Sequence, residues 1–300
     1  MTHDTDDSER SSSPPSDPSR RDFVALSAAA GWVAASRPVS AAEAKVVESD
    51  ISIMTPDGTC DAAFFHPASG THPGVLIWAD AFGLRPTFRT AFGRRLAALG
   101  YSVLIPNPFY RVAKAPVFTE QEVMSFRFAD PASRARLGPL MGPLQTPSNV
   151  EKDAVAYVAF LDGQTQVSKN HKIGTQGYCM GGPLVVRTAA TVPGRIGAGA
   201  TFHGGGLVTP KPDSPHTLAP KITASMMFLI AASDDMQQPT AKDTLKQSFP
   251  KAHVEVLAGT FHGWTVPDMP PQADGKPTYD KPQAEHAWTK LVALYKKSLA

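Results

Sequence analysis

The stretch KIGTQGYCMGG, from Lys172 to Gly182, decides the fold. It opens with a short β-like run, and a helix-like run from Pro183 to Thr191 follows it. Between the two runs stands Gly177-x-Cys179-x-Gly181. A chain that turns sharply from strand to helix needs such glycines, and it holds the residue between them exposed at the top of a sheet. The stretch therefore predicts a nucleophile elbow with Cys179 as the nucleophile.

Strand and helix patterns alternate on both sides of this elbow. A hairpin-like segment (46–67) precedes the buried-strand runs GVLIWAD and YSVLIPNPF, which flank an amphipathic helix at 86–99. After the elbow come the strand-like runs IGAGATF, SMMFLIAA and HVEVLAG, and a last helix. Such alternation is typical of α/β proteins, in which a mostly parallel sheet carries helices on both faces. We expect one domain of this class over residues 45–300.

Residues 111–147 interrupt the alternation. The segment is rich in proline, mixed in charge, and carries Met and Phe without a strict period. One interpretation is a partly helical excursion on the surface. The other, which we favour, is a cap near the carboxyl ends of the strands, where α/β sheets bind their ligands.

The composition limits the possible partners. The 300 residues are 42% apolar and 19% charged, with a formal net charge of +2. Without a basic block, so mild a charge argues against a nucleic-acid partner. Beyond the first forty residues no apolar run approaches the roughly 18–20 residues of a membrane span. We therefore expect a soluble mature protein without a stable membrane span.

Residues 1–44 are typical of an export signal. A polar, Ser/Pro-rich start leads to Arg20 and Arg21, an apolar stretch to Ala35, and small residues as far as Ala44. The order matches a charged region, an apolar region and a cleavage site, and the arginine pair resembles a twin-arginine signal. We expect the segment to be removed and the protein to be periplasmic or otherwise extracytoplasmic. The alternative is a disordered tail that happens to hold two arginines.

The two cysteines, Cys60 and Cys179, have different expected roles. In an oxidising compartment a pair of cysteines can form a disulfide. These two lie far apart in sequence and in different predicted elements. We expect Cys60 to be a small buried apolar residue, with a disulfide as the alternative.

Two strand ends downstream of Cys179 supply the remaining groups of a catalytic triad. The run LIAASDDMQQP carries Asp234 and Asp235, and LAGTFHGW ends in a loop with His262. A thiol nucleophile needs a base, and the base needs an acid that orients it. The order nucleophile, acid, histidine, each after its own strand, is that of α/β-hydrolases.

This pattern leaves several points open. Either aspartate can face His262, and the alternatives to a triad are an inert buried cysteine and an ordinary loop histidine. The other histidines pair with no second ligand at convincing helical spacing, so we expect no metal site. Nothing in the sequence indicates a cofactor.

Four segments resemble the dienelactone hydrolase family of α/β-hydrolases: GYCMGG, ASDDMQQP, FHGW and IWADAFGLRPTFRTAFGRRLAALGYSVLIPNPFYR. The resemblance runs from about Val46 to the C-terminus. It implies that Cys179 attacks an ester or lactone carbonyl and that His262 serves as base and acid. The family's aspartate stands four positions before a proline, which selects Asp235 before Pro239.

The resemblance also implies groups around the triad. The family's oxyanion hole uses the backbone N–H after the nucleophile, here Met180, and the N–H after an acidic residue that precedes Phe-Gly, here Ala81. That acidic residue is usually a glutamate that holds the resting thiol. Here it is Asp80, a supporting acid with a shorter reach; the alternative is a strand-end aspartate that caps the following turn.

Three further residues are candidate substrate contacts. Arg111, next to Tyr110, lies near the segment from which dienelactone-active members clamp a substrate carboxylate. His203, in the strand-end run TFHGGG, is either a pocket residue or an ordinary loop residue.

A thiol nucleophile favours reactive esters, because their alcohols leave without strong protonation. We therefore expect a hydrolase that opens a small-molecule ester or lactone through a cysteinyl thioester. One alternative is a broad carboxylesterase of small esters without a dienelactone preference. The other is a hydrolase-like binding protein whose thiol is not a catalyst.

Overall fold

The computed structural model describes residues 45–300, so the predicted export signal (1–44) lies outside the described residues. The strands are β1 (Val46–Thr55), β2 (Gly58–Pro67), β3 (Gly74–Trp78), β4 (Ser102–Pro106), β5 (Ile173–Tyr178), β6 (Ile196–Phe202), β7 (Ser225–Ala231) and β8 (His253–Leu257). They form one sheet in the order β1-β2-β4-β3-β5-β6-β7-β8. β2 pairs antiparallel with both β1 and β4, and all the other pairings are parallel. The predicted mostly parallel α/β sheet is confirmed.

Helices connect these strands. They are α1 (Pro86–Phe88), α2 (Arg95–Ala98), α3 (Glu120–Ser125), α4 (Pro131–Met141), α5 (Pro147–Gly163), α6 (Gly181–Thr191), α7 (Ala232–Gln237), α8 (Ala241–Ser248) and α9 (Lys281–Ser298). The connections also contain two 3₁₀ segments, Gly142–Gln145 and Pro215–Lys221. In the described part of the chain no helix combines the length and the apolar character that crossing a membrane requires.

The predicted helix at 86–99 is not a regular α-helix. A π-helical segment, Arg89–Arg94, joins α1 to α2. Within it, a Cβ on Gly93 would lie 2.7 Å from the ring of Phe65. The glycine therefore lets the segment pack directly on β2.

The sheet separates two apolar layers, because successive side chains of a strand point to opposite faces. In β3, Val75 lies in one buried cluster with Tyr295 of α9. The next residue, Leu76, lies in the other cluster with Tyr157 of α5. All four side chains are fully buried, and each large apolar side chain stabilises the fold by roughly 1.5–3 kcal/mol. The helices on both faces are thereby fixed to the sheet.

The parallel strands β3, β5, β7 and β8 bring their carboxyl ends to one edge of the sheet, which is where such sheets bind ligands. The segment that interrupts the alternation folds as α3, α4 and the 3₁₀ turn that follows them. Thr119 and Glu122 form a capping box at the start of α3. The predicted site residues after β3, β5, β7 and β8 therefore share one edge.

Candidate active site

Cys179 stands at a sharp turn between β5 and α6. Its φ of 52° is left-handed, a conformation that costs a non-glycine residue roughly 1–2 kcal/mol. A Cβ on Gly177 would lie 2.2 Å from the carbonyl oxygen of Gly181, and one on Gly181 would lie 2.4 Å from that of Trp78. Both glycines are thus required by backbone contacts. This is the geometry of the predicted nucleophile elbow.

His262 lies between the thiol of Cys179 and a carboxylate. Its Nδ1 is 2.9 Å and 3.0 Å from the two carboxylate oxygens of Asp234. Its backbone N–H donates to Ser233 Oγ at 2.9 Å, which fixes the loop that carries the ring. Burial lowers the pKa of His262, but the charge of Cys179 and the hydrogen bonds to Asp234 and Cys179 outweigh it and hold that pKa well above its usual value. The site therefore favours the protonated, imidazolium form of His262.

The selection of Asp235 as the acid is wrong in geometry, because Asp234 is the aspartate that contacts His262. Asp235 instead accepts hydrogen bonds from Lys242 Nζ at 2.7 Å and 2.9 Å. The reason is that α7 begins at Ala232, immediately after β7. Adjacent side chains on a helix point roughly 100° apart, since a turn takes 3.6 residues. Only one of the two carboxylates can face the histidine.

Two backbone N–H groups are available for an oxyanion. They belong to Ala81, in the turn after β3, and to Met180, directly after the nucleophile. Within residues 45–300 neither N–H donates to a protein acceptor. The turn at Ala81 is closed by a hydrogen bond from the N–H of Gly83 to the carbonyl of Asp80, at 2.9 Å. Because β3 and β5 are paired neighbours, the two predicted donors flank the thiol from adjacent strands.

A cavity of about 570 Å³ opens over Cys179 and His262. The segment between β4 and α5 supplies one wall, through Phe126, Arg127, Phe128 and Ala129. The remaining walls come from the loops after β7 and β8 and from residues 269–278, and they include Ser233, Gln237, Phe261, Met269 and Thr278. The segment 111–147 therefore covers the site, which favours the cap interpretation over a plain surface excursion.

The side chains that form this wall of the cavity were not identified from the sequence. Residues 126–129 fall in the segment with no regular period, so periodicity could not show which side chains face the site. The run FRF, with two aromatic residues around a cation, was the available signal.

A sequence profile of the dienelactone hydrolase family matches residues 60–299. The chain belongs to this family. It is thus a carboxylic ester hydrolase, and the expected family is confirmed.

Two relatives of this family member match different lengths of the chain. A putative carboxymethylenebutenolidase of Methylorubrum extorquens is 26% identical over 297 residues, 93% of either chain. The carboxymethylenebutenolidase of Rhodococcus opacus is 27% identical over 143 residues, which span 47% of this chain and 48% of that one.

Solved structures show the same fold. A putative dienelactone hydrolase from Klebsiella pneumoniae superposes with a TM-score of 0.67 at 20% identity, covering 84% of this chain and 99% of that one. A dienelactone hydrolase-like promiscuous phosphotriesterase from metagenomic libraries gives a TM-score of 0.66 at 24% identity, with 85% and 99% covered. The α/β-hydrolase fold is confirmed.

The family resemblance implied that Asp80 is a supporting acid with a shorter reach than the family's glutamate, and the structure gives its carboxylate other partners than the thiol. Asp80 Oδ1 accepts from Arg85 at 2.6 Å and from the N–H of Phe82 at 2.9 Å, and Oδ2 accepts from Arg85 at 2.9 Å. The carboxylate is 1% exposed, so it needs a buried counter-charge. Arg85 supplies that charge and also binds Asp268, with two contacts of 2.8 Å. Asp80 anchors the turn after β3, and the partner of the Cys179 thiol is His262.

Arg111 and Tyr110 do not line the cavity. Arg111 pairs with Asp153 at 2.8 Å and with Asp57 at 2.7 Å. The hydroxyl of Tyr110 donates to Asp153 at 2.7 Å and lies 2.8 Å from Thr55 Oγ1. Arg111 neutralises the buried Asp153, the Tyr110 hydroxyl hydrogen-bonds to it, and the two residues fix the β1–β2 hairpin to α5. Their expected role as substrate contacts is therefore corrected.

His203 lies behind the catalytic histidine and outside the cavity lining. Its ring is fully buried, with its centroid 5.1 Å from that of His262 in an edge-on arrangement. Nε2 lies 2.8 Å from Thr265 Oγ1. Burial, and then the charge of His262, hold the pKa of His203 well below its usual value. A neutral His203 supports the His262 ring without adding a second positive charge.

Cys60 is a free cysteine and fully buried. Its sulfur accepts a hydrogen bond from the hydroxyl of Tyr157 at 3.2 Å. Burial raises the pKa of the Cys60 thiol to about 12. Cys179 is also free, so the structure supports the buried-residue interpretation of Cys60 and not the disulfide. Over the described residues, no group of three or more His, Cys, Asp or Glu side chains is arranged to hold a metal ion.

Proposed function

We propose that this dienelactone hydrolase family member cleaves esters or lactones through a thioester on Cys179, with His262 as base and acid and Asp234 as the orienting acid. One observation carries the proposal: the His262 ring, hydrogen-bonded to Asp234, lines the same large cavity as Cys179. A nucleophile, a base in contact with it and an acid behind the base are the parts that acyl transfer requires.

Each step follows from these contacts. The thiolate of Cys179 attacks the carbonyl carbon, and the N–H groups of Ala81 and Met180 stabilise the oxyanion that forms. The tetrahedral intermediate collapses to a thioester as the C–O bond breaks, and the imidazolium of His262 gives its proton to the leaving alkoxide. His262 then takes a proton from water, which attacks the thioester. The C–S bond then breaks, the carboxylic acid departs, and the thiolate of Cys179 is restored beside His262, which holds the proton taken from water.

The test is ester turnover by the reduced protein without residues 1–41, with p-nitrophenyl acetate and a cis-dienelactone as substrates. We expect Cys179→Ala to abolish turnover, whereas Cys60→Ala, which removes the other thiol, should leave it unchanged. Mass spectrometry of a quenched reaction should show the acyl mass on the peptide that contains Cys179. Turnover by Cys179→Ala at the wild-type rate would refute the mechanism, and no turnover by the reduced wild-type protein would leave the binding-protein alternative.

A second candidate is a broad carboxylesterase of small esters without a preference for a carboxylate-bearing lactone. The commitment of Arg111 to Asp57 and Asp153 favours it, because that guanidinium is not free to clamp a substrate. The two candidates differ in the expected ratio of kcat/KM for the dienelactone to kcat/KM for p-nitrophenyl acetate. A dienelactone that outcompetes p-nitrophenyl acetate in kcat/KM supports the first, and equal values support the second.

We also propose that the protein acts outside the cytoplasm. The support is the sequence of residues 1–44, with Arg20 and Arg21 before an apolar stretch. Expression of the full chain, with lysine at both positions as the control, tests export. We expect mature protein in the periplasmic fraction for the wild type and not for the lysine variant. Equal amounts of periplasmic protein from the two would contradict the proposal.

A further inference from the structure

The cavity over Cys179 is larger than a small lactone needs. Its volume of about 570 Å³ falls in the range of roughly 300–1,000 Å³ that is typical of pockets for drug-sized ligands. A pocket of this kind binds by burying most of its ligand's surface. The size therefore points to a substrate with a substantial group beyond the ester itself.

The cavity wall shows what kind of group fits. Phe126 and Phe128 from the cap lie with ring centroids 4.9 Å apart, and both also contact Phe82. Phe82 follows Ala81, so this aromatic cluster begins at the predicted oxyanion turn. On the opposite side Phe261 precedes the catalytic histidine in sequence. Three aromatic side chains thus line the cavity on two sides of the reactive centre.

Two of these rings are presented to solvent. Phe128 is 46% exposed and Phe261 is 39% exposed, although both line the cavity. Large exposed apolar side chains that converge on a pocket indicate a ligand-binding surface. Aromatic rings favour aromatic partners in stacked or edge-to-face contact. A small lactone at Cys179 would leave such contacts unmade.

The cavity carries little charge to select a polar substrate. Among its lining residues Arg127 is the one charged side chain apart from the catalytic histidine. Its guanidinium donates to the backbone carbonyls of Phe126 and Met124, at 3.0 Å and 3.4 Å. The walls therefore select chiefly by apolar contact.

We propose that the substrate of this site carries an aryl group, on the acyl or the alcohol side of the ester, that packs among Phe126, Phe128 and Phe261. This inference rests on the proposed ester hydrolysis and names its substrate class. It makes Phe128 a specificity-determining residue that contacts the substrate away from the reacting atoms.

The test compares esters that differ in the aryl group alone. On the acyl side, vinyl 3-phenylpropanoate is compared with vinyl propanoate, which has the same leaving group and no aryl ring. On the alcohol side, 2-phenylethyl acetate is compared with ethyl acetate. We expect kcat/KM for the aryl ester to be at least about tenfold higher in one of the pairs, the scale by which apolar pockets discriminate small groups.

Two variants assign the preference to the cavity wall. Phe128→Ala should lower the aryl preference, the ratio of kcat/KM for the aryl ester to that for its aryl-free partner, severalfold. Met124→Ala is the control, because Met124 is 48% exposed in the same cap and does not line the cavity. It should keep the wild-type preference.

The outcomes separate this inference from the proposed function. If the small and aryl esters turn over equally in both pairs, and Cys179→Ala removes that activity, the inference is wrong and the thioester mechanism stands. An equal loss of both activities in Phe128→Ala would also overturn the inference. If none of the four esters shows turnover that depends on Cys179, the proposed function fails first.

Discussion

Arg85 offers the sharpest test of how the turn after β3 is held. Its side chain is fully buried between two carboxylates, those of Asp80 (1% exposed) and Asp268 (13% exposed). The guanidinium also lies against the rings of Phe82 and Phe88, with its central carbon 5.4 Å and 5.0 Å from their centroids. Arg85→Met keeps most of the apolar stem and removes the charge. Both carboxylates then lose their only close cation among the described residues.

The magnitude follows from the burial. Removing one partner of a buried ion pair costs about 3–5 kcal/mol, because it leaves an uncompensated charge. That is a large part of the roughly 5–15 kcal/mol by which proteins are stable. For a chain of this size the urea m-value is about 3 kcal/mol/M, at the upper end of the usual range. The midpoint of urea unfolding should therefore fall by about 1–1.7 M.

The measurement is urea unfolding followed by tryptophan fluorescence, with Arg89→Met as the matched control. Arg89 is also an arginine between two carboxylates, those of Glu48 and Asp50, but its side chain is 26% exposed. Solvent screens such a pair, so its loss should cost less than about 1 kcal/mol and shift the midpoint by less than about 0.3 M. Equal shifts in the two variants would refute the argument that the Arg85 network carries buried charge.

Two further predictions concern the catalytic groups. Asp234→Asn should lower kcat about 10²- to 10⁴-fold, because an amide no longer stabilises the imidazolium, while Asp235→Asn should change it less than about threefold. The pKa of His262, measured by NMR titration, should fall in Asp234→Asn, since the hydrogen bond and charge that raise it are lost; an unchanged pKa would contradict the contact. Iodoacetamide should alkylate Cys179 in the native protein and spare Cys60, which is fully buried and whose thiol pKa is raised to about 12. Peptide mapping in native buffer and in urea measures both sites, and native modification of Cys60 at a comparable rate would show that it is not enclosed.

The fold and the sharp turn at Cys179 could be predicted from the sequence because both depend on local pattern. Buried strands leave unbroken apolar runs, and the elbow of Cys179 needs its two glycines at fixed offsets. Local pattern could not show which of Asp234 and Asp235 faces His262. That choice depends on the residue at which α7 begins, and a shift of one position turns the other carboxylate toward the histidine.

The ion-pair partners of Arg111 and Arg85 also could not be predicted from the sequence. Arg111 looked free to bind substrate because its partners Asp57 and Asp153 are 54 and 42 residues distant in the chain. Arg85 lies within the segment that resembles the family, but no local sequence pattern indicates that it binds both Asp80 and Asp268. The sequence showed that Asp80 occupies the position of the family's acidic residue. Its ion pair with Arg85 could be found only in the three-dimensional structure.

The strand order has a consequence for how the enzyme is made. Along the chain the site groups come in the order Ala81, Cys179, Asp234 and His262, and the last of them follows β8, an edge strand of the sheet. During synthesis the N-terminal parts of a chain emerge and begin to fold first. A nascent chain therefore contains the Cys179 thiol some eighty residues before it contains His262, the base of the proposed mechanism. If that mechanism holds, hydrolysis begins only after β8 and the loop that follows it have been synthesised.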